Sequence, residues 1–207
     1  KQIYPLGGAK EVRDYLHSTN YGPPGHLVDF ETEVLRKDGK RTPIRMCCSV
    51  LRENGQEIGY IGFFTDISAR LALLRSLERR SAFLENVIST CPEGIIANDT
   101  RGNIFLYNKS AEGIFGYTEK EVIGGKLHAK ELYPPGGAKE GREYIYSTHY
   151  GPHGHLVDFE TEILRKSGKK APIRLCCSVL RENDKDIGFI GFFTDISARI
   201  ALQAKFL

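Results

Sequence analysis

Three closely spaced histidines are the residues of this sequence that come nearest to a metal site. His149, His153 and His155 form an H-x3-H-x-H cluster, and imidazole nitrogens bind transition metals and haem iron. A near copy of the same segment occurs earlier in the chain, and it keeps only the last of the three, as His26. Because the near copy dispenses with two of them, the pattern favours a solvated loop over a metal or haem site.

Catalytic motifs form no comparable cluster. The sequence contains no G-x-S-x-G, Walker A, H-E-x-x-H or protein-kinase signature, so we expect no enzymatic activity in this chain. Four of its five cysteines form two adjacent pairs, Cys47-Cys48 and Cys176-Cys177, whose spacing fits neither a disulfide framework nor a zinc site. This cysteine usage indicates a reducing, cytoplasmic compartment. Strand alternation places one thiol of each pair in the core.

Composition limits the remaining classes of protein. The chain has 207 residues, of which 41% are hydrophobic and 27% charged, with a net charge of +3. These values are typical of a globular protein and give no electrostatic reason to expect nucleic-acid binding. The longest apolar runs fall far short of the roughly 20 residues of a transmembrane helix. Because the chain begins at Lys1 and its one methionine is Met46, we expect a piece of a longer protein.

An internal repeat is the strongest signal in the sequence. Residues 1–70 align without a gap on residues 130–199, and about three quarters of the pairs are identical. Residues 61–70, IGFFTDISAR, recur unchanged at residues 190–199. Residues 81–129 have no counterpart before Lys1. The sequence therefore predicts four parts: half of a first domain (residues 1–68), a connecting helix (69–90), a complete domain (91–197) and the start of an exit helix (198–207).

Secondary-structure signals in the complete domain predict an α+β fold. Two short apolar runs around the turn cluster at residues 98–102 indicate a hairpin, and capping patterns indicate short helices from Asn108 and Thr118. A further helix is expected over residues 138–147. Three longer alternating strands follow, at residues 159–166, 172–182 and 186–194. This order is typical of an antiparallel sheet with helices on one face.

Three stretches of the complete domain resemble the PAS domain family, the sensory modules of bacterial signalling proteins. They are ENVISTCPEGIIANDTRGNIFLYNKSAEGIFGYTEKEVIG (85–124), RKSGKKAPIR (165–174) and DIGFIGFFTDISAR (186–199). The resemblance implies a five-stranded antiparallel sheet, helices on one face and a cavity between them. It also implies a dimer that relays a signal through flanking helices to an output domain outside this chain, as in a sensor histidine kinase. A ligandless dimerisation spacer is the alternative, and a haem- or metal-binding gas or redox sensor is a more distant one.

The resemblance also suggests which residues form the pocket and the signal hinge. Tyr144, His149 and Phe193 are the candidate pocket residues. Asp66 and Asp195 stand where the last strand of each copy meets the following helix. Each aspartate can cap the first helical turn and pair with the arginine four residues on. The expected hinge residues are therefore Asp66, Arg70, Asp195 and Arg199. A plain N-cap without a signalling role is the alternative.

Two cofactors can be weighed against the family pattern. Haem-binding members usually take an axial histidine from the helix that here carries His17 in the first copy and Tyr146 in the second, which disfavours haem in the second. Light-sensing members need an Asn-Cys-Arg stretch in the region that here reads GGKLHAKEL (124–132). Flavin–thiol photochemistry is therefore excluded, whereas non-covalent flavin stays open and the identity of any cofactor is unknown.

The connector and the truncated first domain predict two modes of self-association. Positions 67, 70, 74, 77, 81, 84 and 88 step by three and four residues, and we call this row the seam. Five of its seven occupants are apolar, which favours a dimeric coiled coil; the alternative is a helix packed on its own domain. The expected dimer contacts are Leu74, Leu77, Leu84 and Ile88. Without a preceding hairpin, the last strand of the first copy is expected to leave Phe63 and Phe64 uncovered and open to pairing or domain swapping.

Overall fold

The alternating strands of the two copies form two separate antiparallel sheets. The computed structural model describes residues 8–205, and the chain divides into a first unit, Lys1–Ser81, and a second unit, Ala82–Leu207. The described elements of the first unit are α1 (Gly8–Leu16), β1 (His26–Leu35), β2 (Arg41–Glu53) and β3 (Gln56–Asp66). They are followed by the long helix α2 (Ser68–Thr90), which crosses the division between the units.

The second unit contains five strands and several short helices. In chain order they are β4 (Gly94–Asp99), β5 (Ile104–Tyr107), α3 (Lys109–Phe115), α4 (Glu119–Val122), a 3-10 helix (Ala129–Leu132), α5 (Gly137–Tyr146), β6 (His155–Leu164), β7 (Lys170–Glu182), β8 (Lys185–Asp195) and α6 (Ser197–Gln203). The sheet order is β5-β4-β8-β7-β6, and every pair is antiparallel. The predicted five-stranded antiparallel sheet is therefore confirmed.

One hydrophobic core joins the helices of the second unit to one face of its sheet. Phe115 of α3 and Ile145 of α5 are buried in the same cluster as Ile173 and Phe193 of the central strands. The ring of Phe115 meets that of Phe193 edge-on, with 5.2 Å between the centroids. This burial confirms that the helices cover one face of the sheet.

The structure corrects two details of the predicted elements. Strand β6 begins at His155, four residues earlier than expected, because a bulge between Leu156 and Phe159 interrupts the alternation and Asp158 adopts a φ of 50°. The sequence also gave no sign of the 3-10 helix, whose cap is the His128 side chain. Within the described residues, no helix is long and apolar enough to cross a membrane.

The first unit has an uncovered strand, as predicted. In the second unit β4 pairs with β8 and protects it, but β3 is the last strand of a three-stranded sheet in the described part of the first unit. Phe63 and Phe64 are 70% and 55% exposed there, whereas Phe193, the counterpart of Phe64, is 4% exposed. Identical local sequence therefore gives a buried ring in one unit and an exposed ring in the other.

Candidate functional site

A cavity of about 390 Å³ lies in the second unit between α5 and the inner face of the sheet. Its walls come from the β4–β5 turn, the 3-10 helix, α5 and strands β6, β7 and β8. The lining residues are Asn98, Thr100, Arg101, Gly102, His128, Ala129, Lys130, Tyr133, Gly137, Ala138, Lys139, Gly141, Arg142, Ile145, Leu156, Phe159, Leu175, Cys177 and Phe189. A cavity of this size and mixed lining is typical of a small-molecule site.

The deeper part of the cavity is apolar and uncharged. Ile145, Leu156 and Leu175 are buried side chains of its wall, and alternation along β7 brings Cys177 to the same side as Leu175. Burial raises the pKa of Cys177 to about 12, so its thiol is protonated at neutral pH. Burial, and then the nearby Cys177, raise the pKa of Tyr133 as well. Neither group is activated as a nucleophile.

The open part of the cavity is cationic. Arg101, Lys130, Lys139 and Arg142 are exposed and contribute to the lining, which includes no Asp or Glu among its residues. Arg142 is held in position, because its Nη2 donates to the carbonyl oxygen of Thr100 at 3.0 Å and its guanidinium carbon lies 5.2 Å from the Phe189 ring centroid. Lys139 also lies 3.8 Å from a carboxylate oxygen of Glu143, outside the cavity lining.

Tyr144, His149 and Phe193, the pocket residues that the resemblance suggests, lie outside the lining of this cavity. Helix α5 turns Gly141, Arg142 and Ile145 towards the cavity, so Tyr144 belongs to the neighbouring stripe of the helix. Its ring stacks on His149 at 6.2 Å between centroids. Phe193 is packed against Phe115 in the core instead of lining the cavity.

The three histidines of the H-x3-H-x-H cluster do not converge on one point. His149 stacks on Tyr144, the His153 ring lies 5.6 Å from that of Tyr146, and Nδ1 of His155 lies 3.0 Å from Oγ of Ser178. Within residues 8–205, no three histidine, cysteine or acidic side chains form a group that could hold a metal ion. These contacts give each histidine a local structural partner.

The aspartate at each strand–helix junction caps the following helix by accepting a hydrogen bond from its first residue, although in α6 the N-cap position itself is Ile196, which makes no side-chain cap bond. Asp195 accepts a hydrogen bond from the Ser197 backbone N–H at 2.8 Å, and Asp66 accepts one from that of Ser68 at 2.9 Å. Burial raises the pKa of Asp195, but hydrogen bonds from Ser197 and Arg165 outweigh burial, and the pKa lies below its ordinary value. The carboxylate is therefore ionised while it caps α6.

The expected pairing of each aspartate with the arginine four residues on is wrong. Asp195 pairs with Arg165 of the β6–β7 turn, and Arg199 pairs with Glu160 of β6. The aspartate precedes the helix instead of lying within it, so the i,i+4 geometry of two helical side chains is not available.

The first unit repeats this arrangement. There Arg36 lies 3.3 Å from Asp66, and Arg70 lies 3.9 Å from Glu31. In each unit the start of the exit helix is thus tied to the sheet at two points.

Replacing Asp195 by Ala is expected to lower the stability of the second unit by about 1 kcal/mol at neutral pH, since it removes a helix cap. A depressed folded-state pKa stabilises only while the carboxylate is ionised. The difference from wild type should therefore disappear as the pH falls below the ordinary aspartate value of about 3.9 and through the folded value. Urea unfolding of the wild type and the variant at pH 7 and pH 3 measures this difference in stability. An equal difference at the two pH values would contradict the cap.

Helix α2 leaves its apolar residues in solvent. None of its residues is buried, and Leu74, Leu77 and Leu84 of the seam are exposed while Ile88 is half-buried. These exposures do not fit the alternative of a helix packed on its own domain. Leu74, Leu77 and Leu84 are therefore open to a partner, whereas Ile67 at the start of the seam is buried and Arg70 pairs with Glu31.

Asn108 is a connecting residue that the sequence revealed only as the start of α3. Its Oδ1 accepts from the backbone N–H groups of Ile95 and Ala111 at 2.8 and 3.0 Å. Its Nδ2 donates to the carbonyl oxygens of Ile88 and Glu93 at 2.9 and 3.0 Å. One buried side chain therefore joins the end of α2, strand β4 and helix α3. An asparagine before a helix signals a cap, but these distant partners leave no trace in the local sequence.

Comparison with known families identifies the class of protein. The family model described as "PAS domain" matches residues 10–69 and 92–198. The chain belongs to the PAS domain family, as its resemblance predicted.

Individual relatives include one sensor protein and two solved PAS domains. The chain is 27% identical over 169 residues to Sensor protein FixL of Bradyrhizobium diazoefficiens, covering 78% of this chain and 32% of the relative. It thus spans about a third of that protein's length. A solved PAS domain from Colwellia psychrerythraea is 25% identical, with a TM-score of 0.50, covering 59% of this chain and 98% of that structure. The PAS domain of an HTR-like protein from Haloarcula marismortui is 22% identical, with a TM-score of 0.48, covering 61% and 99%.

Proposed function

We propose that the second unit binds a small molecule in its cavity and relays its presence through α6 to an output domain outside this chain, a histidine kinase. One structural observation supports the proposed relay. Phe189 lines the cavity, and the same strand, β8, ends at the capping residue Asp195. A ligand that displaces Phe189 acts on the strand that leads directly into the exit helix.

The energies at the junction suit a relay. The cap at Asp195 contributes about 1 kcal/mol, and coupling free energies between sites are about 1–3 kcal/mol. In a full-length sensor, Asp195→Ala should therefore leave the sheet folded and ligand affinity nearly unchanged while it uncouples output activity from the stimulus.

The cavity favours a ligand sensor over a ligandless spacer. A spacer needs a core filled by side chains, and the region beneath α5 is not filled in this way. A role in binding is also favoured over catalysis, because burial keeps Cys177 and Tyr133 protonated. Any kinase or cyclase activity would then lie in the output domain.

Native mass spectrometry of the purified chain, with a visible absorption spectrum, tests ligand binding. We expect a retained small molecule that is released on denaturation and is absent from Gly141→Val, in which the new side chain projects towards the cavity. Hydrogen exchange at α6 should change when the molecule is removed. A chain that retains nothing, and whose melting temperature no member of a metabolite panel changes, would count against the proposal.

Self-association through β3 and α2 belongs to the same proposal. Among residues 8–205, no strand pairs with the outer edge of β3, which lies beside the exposed ring of Phe63. Light scattering at micromolar concentration should show assemblies whose mean mass falls in Phe63→Lys. The matched variant Phe192→Lys, on the strand that β4 already covers, should retain them. A wild-type chain that stays monomeric throughout would exclude this edge as an interface.

A further inference from the structure

We propose that the ligand of the second unit is an anionic amphiphile: a single carboxylate or similar anionic head on an apolar body. The inference rests on the proposed function, because it specifies the occupant of the same cavity. It follows from the division of the lining into a cationic open part and an apolar, uncharged deep part.

The charge of the cavity lining favours a negatively charged ligand. Four lysine and arginine residues contribute to it, and no lining residue is acidic. The first turn of α5 adds Gly137 and Ala138 to the wall, and the start of a helix carries partial positive charge. A cationic head group would meet repulsion, whereas a carboxylate would meet several donors.

Arg142 is the residue best placed to bind the head group. Its contacts with the Thr100 carbonyl and the Phe189 ring fix the side chain beside the cavity. These contacts leave part of a guanidinium that carries five N–H donors, a geometry that suits a carboxylate. Because Arg142 lies over the Phe189 ring, a head group bound to Arg142 would lie close to the side chain on which the proposed relay depends.

The deep part of the cavity favours a ligand with an apolar body. Its walls are the buried side chains of Ile145, Leu156, Phe159 and Leu175. Cys177 and Tyr133 are held protonated there, so no fixed charge faces an apolar group. Each methylene that a ligand buries there should raise its affinity about fourfold.

The first unit provides a natural comparison at one position. A side chain built on Gly141 meets nothing within 4 Å, so this glycine keeps the cavity open beside Arg142. The residue at the corresponding place in the first unit is Val12, which is buried in that unit's core. Valine is thus compatible with this helix, and Gly141→Val is expected to fold while filling the cavity.

Calorimetric titration of the whole chain with octanoate, 1-octanol and acetate tests the ligand class. Octanoate should bind at least about tenfold more tightly than octanol, a difference of about 1.4 kcal/mol, because a hydrogen bond to an ionised group is stronger than one between neutral groups. Acetate, which lacks the apolar body, should show no measurable binding. Gly141→Val should abolish binding of both eight-carbon probes.

The variant Arg142→Gln should remove most of the preference for octanoate, and Arg142→Lys should keep part of it because the charge is retained. The control Lys120→Gln removes a cation outside the lining and should change nothing. Thermal melts of every variant verify folding; if Arg142→Gln does not fold, Lys139→Gln should show the reduced preference.

The outcomes separate the two proposals. Equal binding of octanol and octanoate, lost in Gly141→Val, would overturn the anionic head group and support the cavity as a ligand site. A preference that survives Arg142→Gln and Lys139→Gln would also overturn the assignment. No binding of either probe, with nothing retained in native mass spectrometry, would overturn both proposals.

Discussion

Asn108→Ala is expected to lower the free energy of local unfolding around β4 and α3 by about 2–4 kcal/mol. The side chain is buried and makes four hydrogen bonds to backbone groups. Its loss leaves the N–H groups of Ile95 and Ala111 and the carbonyls of Ile88 and Glu93 without this partner, and an unsatisfied buried group costs about 1–3 kcal/mol. Hydrogen exchange of the Ile95 amide measures the effect at the site itself.

Two further variants make this expectation specific. Asn108→Asp keeps the shape and both accepted bonds, but it places an acceptor against the carbonyls of Ile88 and Glu93, so it should destabilise as well. Asn86→Ala, on the exposed surface of α2, should change stability by less than about 0.5 kcal/mol. If Asn108→Ala changed exchange no more than Asn86→Ala, the side chain would not hold the end of α2 to the sheet.

Local patterns predict the elements of this fold well because short-range chemistry determines them. The side chain of Asn108 caps α3, and Thr118 with Glu121 forms the capping box before α4. The alternation of β7 likewise places Cys177 on the core side. In each case the pattern and the contacts that it predicts lie within a few residues of each other.

Contacts between distant segments account for what the sequence missed. The sequence does not reveal which face of α5 lines the cavity, because the rotation of α5 depends on its packing over the sheet, which brings Arg142 to the cavity and leaves Tyr144 outside its lining. The partner of Asp195 is Arg165, 30 residues away. Phe64 and Phe193 occupy the same position in the same short sequence, yet Phe64 is exposed and Phe193 is buried. The difference arises because another strand and helix cover only Phe193.

Leu77→Glu is expected to convert a dimer held by the seam into monomers while the second unit stays folded. In a two-stranded coiled coil, Leu77 would face its partner copy, and truncation of one such leucine to Ala costs about 2–3 kcal/mol per buried site. A glutamate adds the cost of burying a charge beside its equivalent in the other chain. Sedimentation equilibrium measures the change in assembly, and circular dichroism measures the fold.

Leu73 provides the matched control for this prediction. It is a leucine of the same helix, exposed in the same way, but it lies off the seam, so Leu73→Glu should weaken the dimer much less than Leu77→Glu. Equal loss with both variants would indicate a broad apolar contact instead of a coiled coil. An unchanged dimer in Leu77→Glu would show that the chains associate elsewhere, and Leu77→Glu combined with Phe63→Lys would then reveal whether the edge of β3 carries the interface. The comparison thus separates the two surfaces that the described structure leaves exposed on α2 and β3.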